Sequence, residues 1–103
     1  MDNSQKTKKR IEYQVVITQA ARKQILKLDL RVADKICERL MWLGKNADFI
    51  VHHQLTSLPD DLKGLCRLRS GDWRILYWVY HNLRRIVVYG VAHRSEVYKR
   101  LIK

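Results

Sequence analysis

A chain of 103 residues, 47% of them hydrophobic, has enough material for one domain around one core and not for two. Its 21 Lys and Arg against ten Asp and Glu give a net charge of +11, which draws polyanions at long range but carries no information about fold. No apolar run approaches the ~20 residues that a membrane span requires, and neither Cys37 nor Cys66 has a second cysteine near it to make a zinc pattern.

The first ten residues, MDNSQKTKKR, are polar and basic without the apolar stretch of a signal peptide. They are expected to form a flexible basic tail ahead of a single domain spanning 11–103. The cysteines are expected as two buried thiols in a reducing compartment, and the protein as cytoplasmic.

In chain order, residues 13–18 (YQVVIT) are β-branched and aromatic and predict a short first strand. Thr18 then offers a hydroxyl to cap a helix, in which Ala21, Ile25 and Leu28 share a face. A second helix is expected over 30–43, where Val32, Ile36, Leu40 and Leu43 step by helical intervals and Gly44 makes a natural stop. The short link at Asp29 turns the two into an antiparallel hairpin that covers one face of a sheet. The pattern weakens over 45–61, where His52 and His53 are adjacent, point apart in any regular structure, and lack a third ligand; no metal site is expected.

Three further strands follow. Over 64–69, Leu65, Arg67 and Arg69 alternate with Cys66 and Leu68, and Ser70-Gly71-Asp72 makes a tight reversal. The strand over 73–80 (WRILYWVY) sets Arg74, Leu76, Trp78 and Tyr80 on one face, and that over 85–92 (RIVVYGVA) completes an antiparallel meander. Ser95 is expected to cap a last helix in which Val97 and Leu101, and Tyr98 and Ile102, pair one turn apart.

From Lys63 to Lys103 ten basic residues stand against Asp72 and Glu96, so +8 of the +11 lies in this segment. An arginine pointing from the middle of an apolar strand is costly unless it meets solvent or an anion. Arg74 therefore either reaches the sheet edge or pairs with Asp72, or it faces an open side of the sheet and receives a phosphate. Arg67 and Arg69 belong to a solvated face or extend the same positive surface. His93 and Tyr98, taken singly, are an end-of-strand imidazole and a ring with its hydroxyl at the rim; only their company raises them.

The runs LRSGDWRILYWV and AHRSEVY, at their separation here, resemble the RelE/ParE superfamily of bacterial and archaeal toxins, and within it the RelE type. The order of strand, helical hairpin, three-stranded meander and final helix is similar to that family's from Tyr13 onward. The resemblance implies an α+β fold, with a small antiparallel sheet made of the N-terminal strand and the meander, covered by the hairpin and closed by a short C-terminal helix. It implies a ribosome-dependent endoribonuclease that cuts mRNA in the A site without metal or cofactor, neutralised by a small RelB-like antitoxin in a hetero-oligomer.

By the same resemblance, Arg74 matches the arginine on the scissile phosphate and Tyr98 the tyrosine near the nucleophile, while Arg67 stands where a catalytic-site lysine is usual. Leu65 occupies a second lysine position, with Lys63 the nearest substitute, and Ala92 a second arginine position, with His93 as the group to take over its work. Lys63, Arg69 and Arg94 are the expected RNA-binding residues. The implied chemistry is attack of the RNA's own 2′-oxygen on the adjacent phosphorus, with His93 or Tyr98 as the proton carrier. Two alternatives remain open at this stage: a ParE-type protein that poisons DNA gyrase, and an RNA-binding relative that leaves RNA intact.

Overall fold

The computed structural model describes residues 11–101, so the expected basic tail and Ile102 lie outside the described residues. Strand β1 (Gln14–Ile17) leads into helix α1 (Gln19–Leu26) and helix α2 (Leu30–Asn46); then come β2 (His53–Gln54), β3 (Cys66–Ser70), β4 (Trp73–Tyr80), β5 (Arg85–His93) and α3 (Val97–Leu101). Thr18 caps α1 as expected, its hydroxyl accepting the Ala21 N–H at 3.2 Å. Asp29 does the same for α2 from Arg31 at 2.9 Å.

Gly44 does not end α2, which runs on to Asn46. Its role is closeness: a Cβ at Gly44 would sit 3.0 Å from both the Tyr13 carbonyl oxygen and Val15 Cγ2, and the Gly44 carbonyl accepts the Tyr13 N–H at 2.8 Å. Helix and β1 meet there backbone to backbone.

The five strands form one sheet in the order β1-β5-β4-β3-β2. The α+β class and the meander are as expected, but the sheet is mixed. β1 runs parallel to β5, Gln14 beside Arg85 through Ile17 beside Val88, because the helical hairpin carries the chain back across the face before the meander begins. β2, which has no strong strand pattern, adds a two-residue antiparallel edge at Cys66 and Arg67. Between β3 and β4 the reversal takes two residues, with Ser70 opposite Trp73 and Gly71 at φ +60°. A positive φ at that first position is the one glycine tolerates without strain.

Each face of the sheet has its own core. On one, Ile75, Tyr77, Ile86, Val88 and Val91 pack against Ala21 and Ile25 of α1 and Ile36, Leu40 and Leu43 of α2. On the other, Leu65, Leu76 and Ala92 pack against Val97 and Leu101 of α3 and the loop residues Leu55 and Leu62. This second, smaller core holds α3 against the sheet. Among the described residues no helix is long and apolar enough to cross a membrane.

Side chains on β5 do not simply alternate. Leu76 is opposite Gly90 while Tyr77 is opposite Val88, so Tyr89 is an extra residue and the strand bulges there. Beyond the bulge every side chain changes face, which is how Ile86, Val88 and Val91 share one core. Gln24 of α1 serves the backbone just past it, its Oε1 accepting the Val91 N–H at 2.9 Å. Thr18 donates its hydroxyl to the Val88 carbonyl at 2.9 Å where β1 ends.

Candidate active site

Arg67 on β3, Arg74 on β4, Arg94 just after β5 and Tyr98 on α3 line one cleft of about 110 Å³, floored by Val97. It lies on the face that carries α3, at the end nearest the Gly71-Asp72 turn. Arg74 heads the strand's face toward α3, and its Nη1 donates to the Gly71 carbonyl at 2.9 Å and to the Trp73 carbonyl at 3.0 Å. Backbone carbonyls hold the guanidinium in place without neutralising it. Arg94 is anchored by its N–H to the Asp72 carbonyl at 2.8 Å and its Nε lies 3.7 Å from the Asp72 carboxylate. Val97 and Leu101, buried against the sheet, fix the helix that presents Tyr98, which is 54% exposed.

Positive charge in the cleft is only partly compensated, by Asp72 beside Arg94. Burial, then the guanidinium groups of Arg69, Arg67 and Arg94, push the Arg74 pKa down from its ordinary value, with Asp72 pulling weakly the other way. Among the described residues no carboxylate comes within ion-pair distance of Arg67, Arg69 or Arg74. Four guanidinium groups that repel one another, one of them part-desolvated, make a ready receptor for a phosphate oxygen.

The structure brings Arg67, Arg74, Arg94 and Tyr98 together and sets Arg69 beside them, directly across the ladder from Arg74. It does not bring in His93 or Lys63. Plain alternation along β5 would turn His93 to the cleft; the bulge at Tyr89 moves it to the helix-covered face, opposite Trp73, where the two rings meet edge on at 5.4 Å. Its Nδ1 pairs with the Ser95 hydroxyl at 2.9 Å, in the turn before α3 rather than as the cap of the helix. The residue that does face Arg74 is Ala92, 2% exposed, so the position where a second arginine was expected carries no functional head. Lys63 sits at the far end, its carbonyl accepting the Trp78 indole N–H at 3.0 Å, four positions along β4 from Arg74, and its ammonium faces Asp60 at 3.9 Å. Leu65 is fully buried under α3.

The cysteines also differ from expectation. Cys66 is buried, with its thiol pushed up to about 11 by that burial, but Cys37 is exposed. Among the described residues no group of three His, Cys, Asp or Glu side chains is placed to hold a metal.

A second polar cluster, away from the cleft, had no sequence signal because its members are far apart in the chain. Tyr13 donates its hydroxyl to Asp48 at 2.5 Å and lies 2.7 Å from His81 Nδ1. His52 donates from Nε2 to the Ala47 carbonyl at 2.8 Å, which leaves its Nδ1 to accept from the Tyr77 hydroxyl at 2.7 Å. Burial first, then the Asp48 hydrogen bond and charge, raise the Tyr13 pKa to about 12. These contacts tie the loop after α2 and the turn after β4 to β1; they are a structural clasp.

No protein-family model matches the chain. It is 29% identical over 87 residues to Toxin RelE of Mycobacterium tuberculosis, covering 84% of this chain and 87% of that one. Among solved structures it is similar to a chain of the RelBE2 toxin–antitoxin complex of the same organism, with TM-score 0.69 and 27% identity over 84% of this chain and 97% of that chain. The archaeal RelE–RelB complex of Pyrococcus horikoshii shares the fold, with TM-score 0.64 and 21% identity over 82% and 97% of the two chains.

Proposed function

We propose that the chain is a member of the RelE toxin superfamily, the toxin of a toxin–antitoxin pair, and acts as a metal-independent, ribosome-dependent endoribonuclease on mRNA in the A site, a reading supported by its likeness to Toxin RelE and to the RelBE2 chain. The observation that carries this reading is the cleft in which Arg67, Arg74, Arg94 and Tyr98 converge. A surface built only to grip another protein has no need of clustered guanidinium groups around one phenol.

In the proposed reaction the scissile phosphate rests on Arg74. The RNA 2′-oxygen attacks the adjacent phosphorus as its proton leaves, the bond from phosphorus to the 5′-oxygen breaks, and that oxygen takes up a proton. Arg67, Arg74 and Arg94 stabilise the charge on the phosphorane, an effect commonly worth about 3 kcal/mol per donor. Among the described residues Tyr98 is the one hydroxyl-bearing side chain that lines the cleft, and it carries one of the two transfers.

The RelBE2 chain it resembles comes from a toxin–antitoxin complex, and the basic charge supports an acidic, RelB-like antitoxin laid over the α3 face. Co-purification with the product of the adjacent short gene tests that partner. The activity is tested by primer extension on ribosomes programmed with mRNA, comparing the protein with Arg74→Ala. Cuts in the A-site codon that vanish with Arg74→Ala support the reading. Intact message together with loss of supercoiling by purified gyrase would replace it with the ParE-type alternative.

A further inference from the structure

β2 pairs with β3 only at Cys66 and Arg67, so from Leu68 onward that edge of the sheet has no neighbouring strand. Helix α2 runs beside the open edge. Between them lies a groove of about 610 Å³ whose lining includes Arg39, Trp42, His53, Arg67 and Arg69. An adjoining hollow of about 500 Å³ shares Arg39, Trp42 and Arg69 and extends past Lys35 and Glu38 to the Ser70-Gly71 turn. One carboxylate thus faces four cationic side chains, and the groove opens beside the cleft that holds Arg74.

Two contacts make Arg39 and Trp42 a preformed pair. The Arg39 guanidinium carbon stands 4.4 Å over the Trp42 ring, and Arg39 Nε donates at 3.0 Å to the Arg69 carbonyl, on the stretch of β3 that β2 leaves uncovered. The guanidinium is therefore held over the indole, while Trp42 remains 38% exposed. Residues 39 and 42 are one helical turn apart, so the stack is built into a single face of α2. A part-exposed indole with a guanidinium over it, in a groove lined by further cations, suits an unpaired nucleobase and its flanking phosphates, and does so without regard to base identity.

We propose that this groove is a nucleotide subsite in which an unpaired base of single-stranded RNA stacks on the Arg39–Trp42 pair, beside the phosphate held at Arg74. The inference rests on the nuclease reading of the cleft and adds the path taken by the strand next to the cut. Arg69 joins the two places, its carbonyl fixing Arg39 and its side chain standing across from Arg74.

The test is fluorescence anisotropy with a labelled 2′-O-methyl oligonucleotide, which binds without being cut. Trp42→Ala should weaken binding ~10-fold and Trp42→Phe only about twofold, since a smaller ring still stacks. A single abasic site at the stacked position should cost the wild-type protein a similar factor and cost Trp42→Ala nothing further, a comparison that holds even if the alanine variant is less stable. A duplex of the same sequence should bind with no dependence on Trp42. If Trp42→Ala binds as wild type while Arg74→Ala is weakened, the subsite is wrong and the cleft stands. If the wild-type protein does not bind the strand at all, the subsite falls, while the cleft is judged separately by cleavage on programmed ribosomes. Equal losses for phenylalanine and alanine, or a duplex equally sensitive to Trp42, would overturn the stacking.

Discussion

Arg69 stands directly across the β3–β4 ladder from Arg74, and among the described residues neither has a carboxylate within ion-pair distance. Like charges directly opposite cost stability, by roughly 0.2–1 kcal/mol, and the fold carries that cost where the cleft needs positive charge. Arg69→Thr should therefore leave the urea midpoint unchanged or slightly higher. Arg74→Ala should likewise stay folded while cleavage on programmed ribosomes falls by about 10² or more. A clear loss of stability in either variant would show that the arginines support the fold.

His93 turns to Trp73 rather than to the cleft. A general acid or base commonly contributes about 10²–10⁴ in rate, so His93→Gln is expected to reduce cleavage by less than ~10-fold, and Tyr98→Phe by more than that. Single-turnover rates on the same programmed ribosomes decide between them. A larger effect from His93 than from Tyr98 would mean that the bulged strand rearranges when RNA binds.

The bulge that sets this geometry leans on Gln24, whose Oε1 accepts the Val91 N–H. Gln24→Ala leaves that N–H without its partner and should destabilise the protein by about 1–3 kcal/mol. Gln24→Glu keeps an acceptor oxygen and should recover most of the loss. Gly90→Ala should behave like Gln24→Ala, because a Cβ at Gly90 would meet Gln24 Oε1 at 2.7 Å. Urea unfolding of the three variants measures the order.

Alkaline pH should unfold the protein before its arginines titrate. Burial raises the Cys66 thiol from 9.0 to about 11 and, with Asp48, the Tyr13 phenol from 10.0 to about 12; Tyr77 moves upward too, by burial and then the charge of Cys66. A raised pKa in the folded state means that the neutral form is favoured there, so this stability is intact below the unfolded values and is lost as pH rises through the folded ones. The urea midpoint should hold to about pH 9 and fall from there toward pH 12. In Cys66→Ala the fall should begin nearer pH 10.

Short-range pattern was enough to locate most of the elements. Thr18 and Asp29 mark where α1 and α2 begin, Gly71 where β3 turns into β4, and alternation set Arg67 and Arg74 on one face of adjoining strands. Each of these depends on residues within a few positions of one another, where backbone geometry dictates which side chains share a side.

The remainder was settled by contacts between distant parts of the chain. Parallel pairing of β1 with β5 joins residues some seventy positions apart, and Gly44 is a packing point only because β1 lies against it. One extra residue at Tyr89, held by a glutamine from α1, exchanges the faces of Ala92 and His93 and so decides which of them looks at Arg74. Alternation counts residues correctly only while the ladder is regular, and a bulge is paid for by tertiary partners that no local window contains. The sequence by itself determined that this chain carries a basic sheet with an arginine on its open face; the folded structure decided which side chains meet there, because facing is a property of the whole ladder.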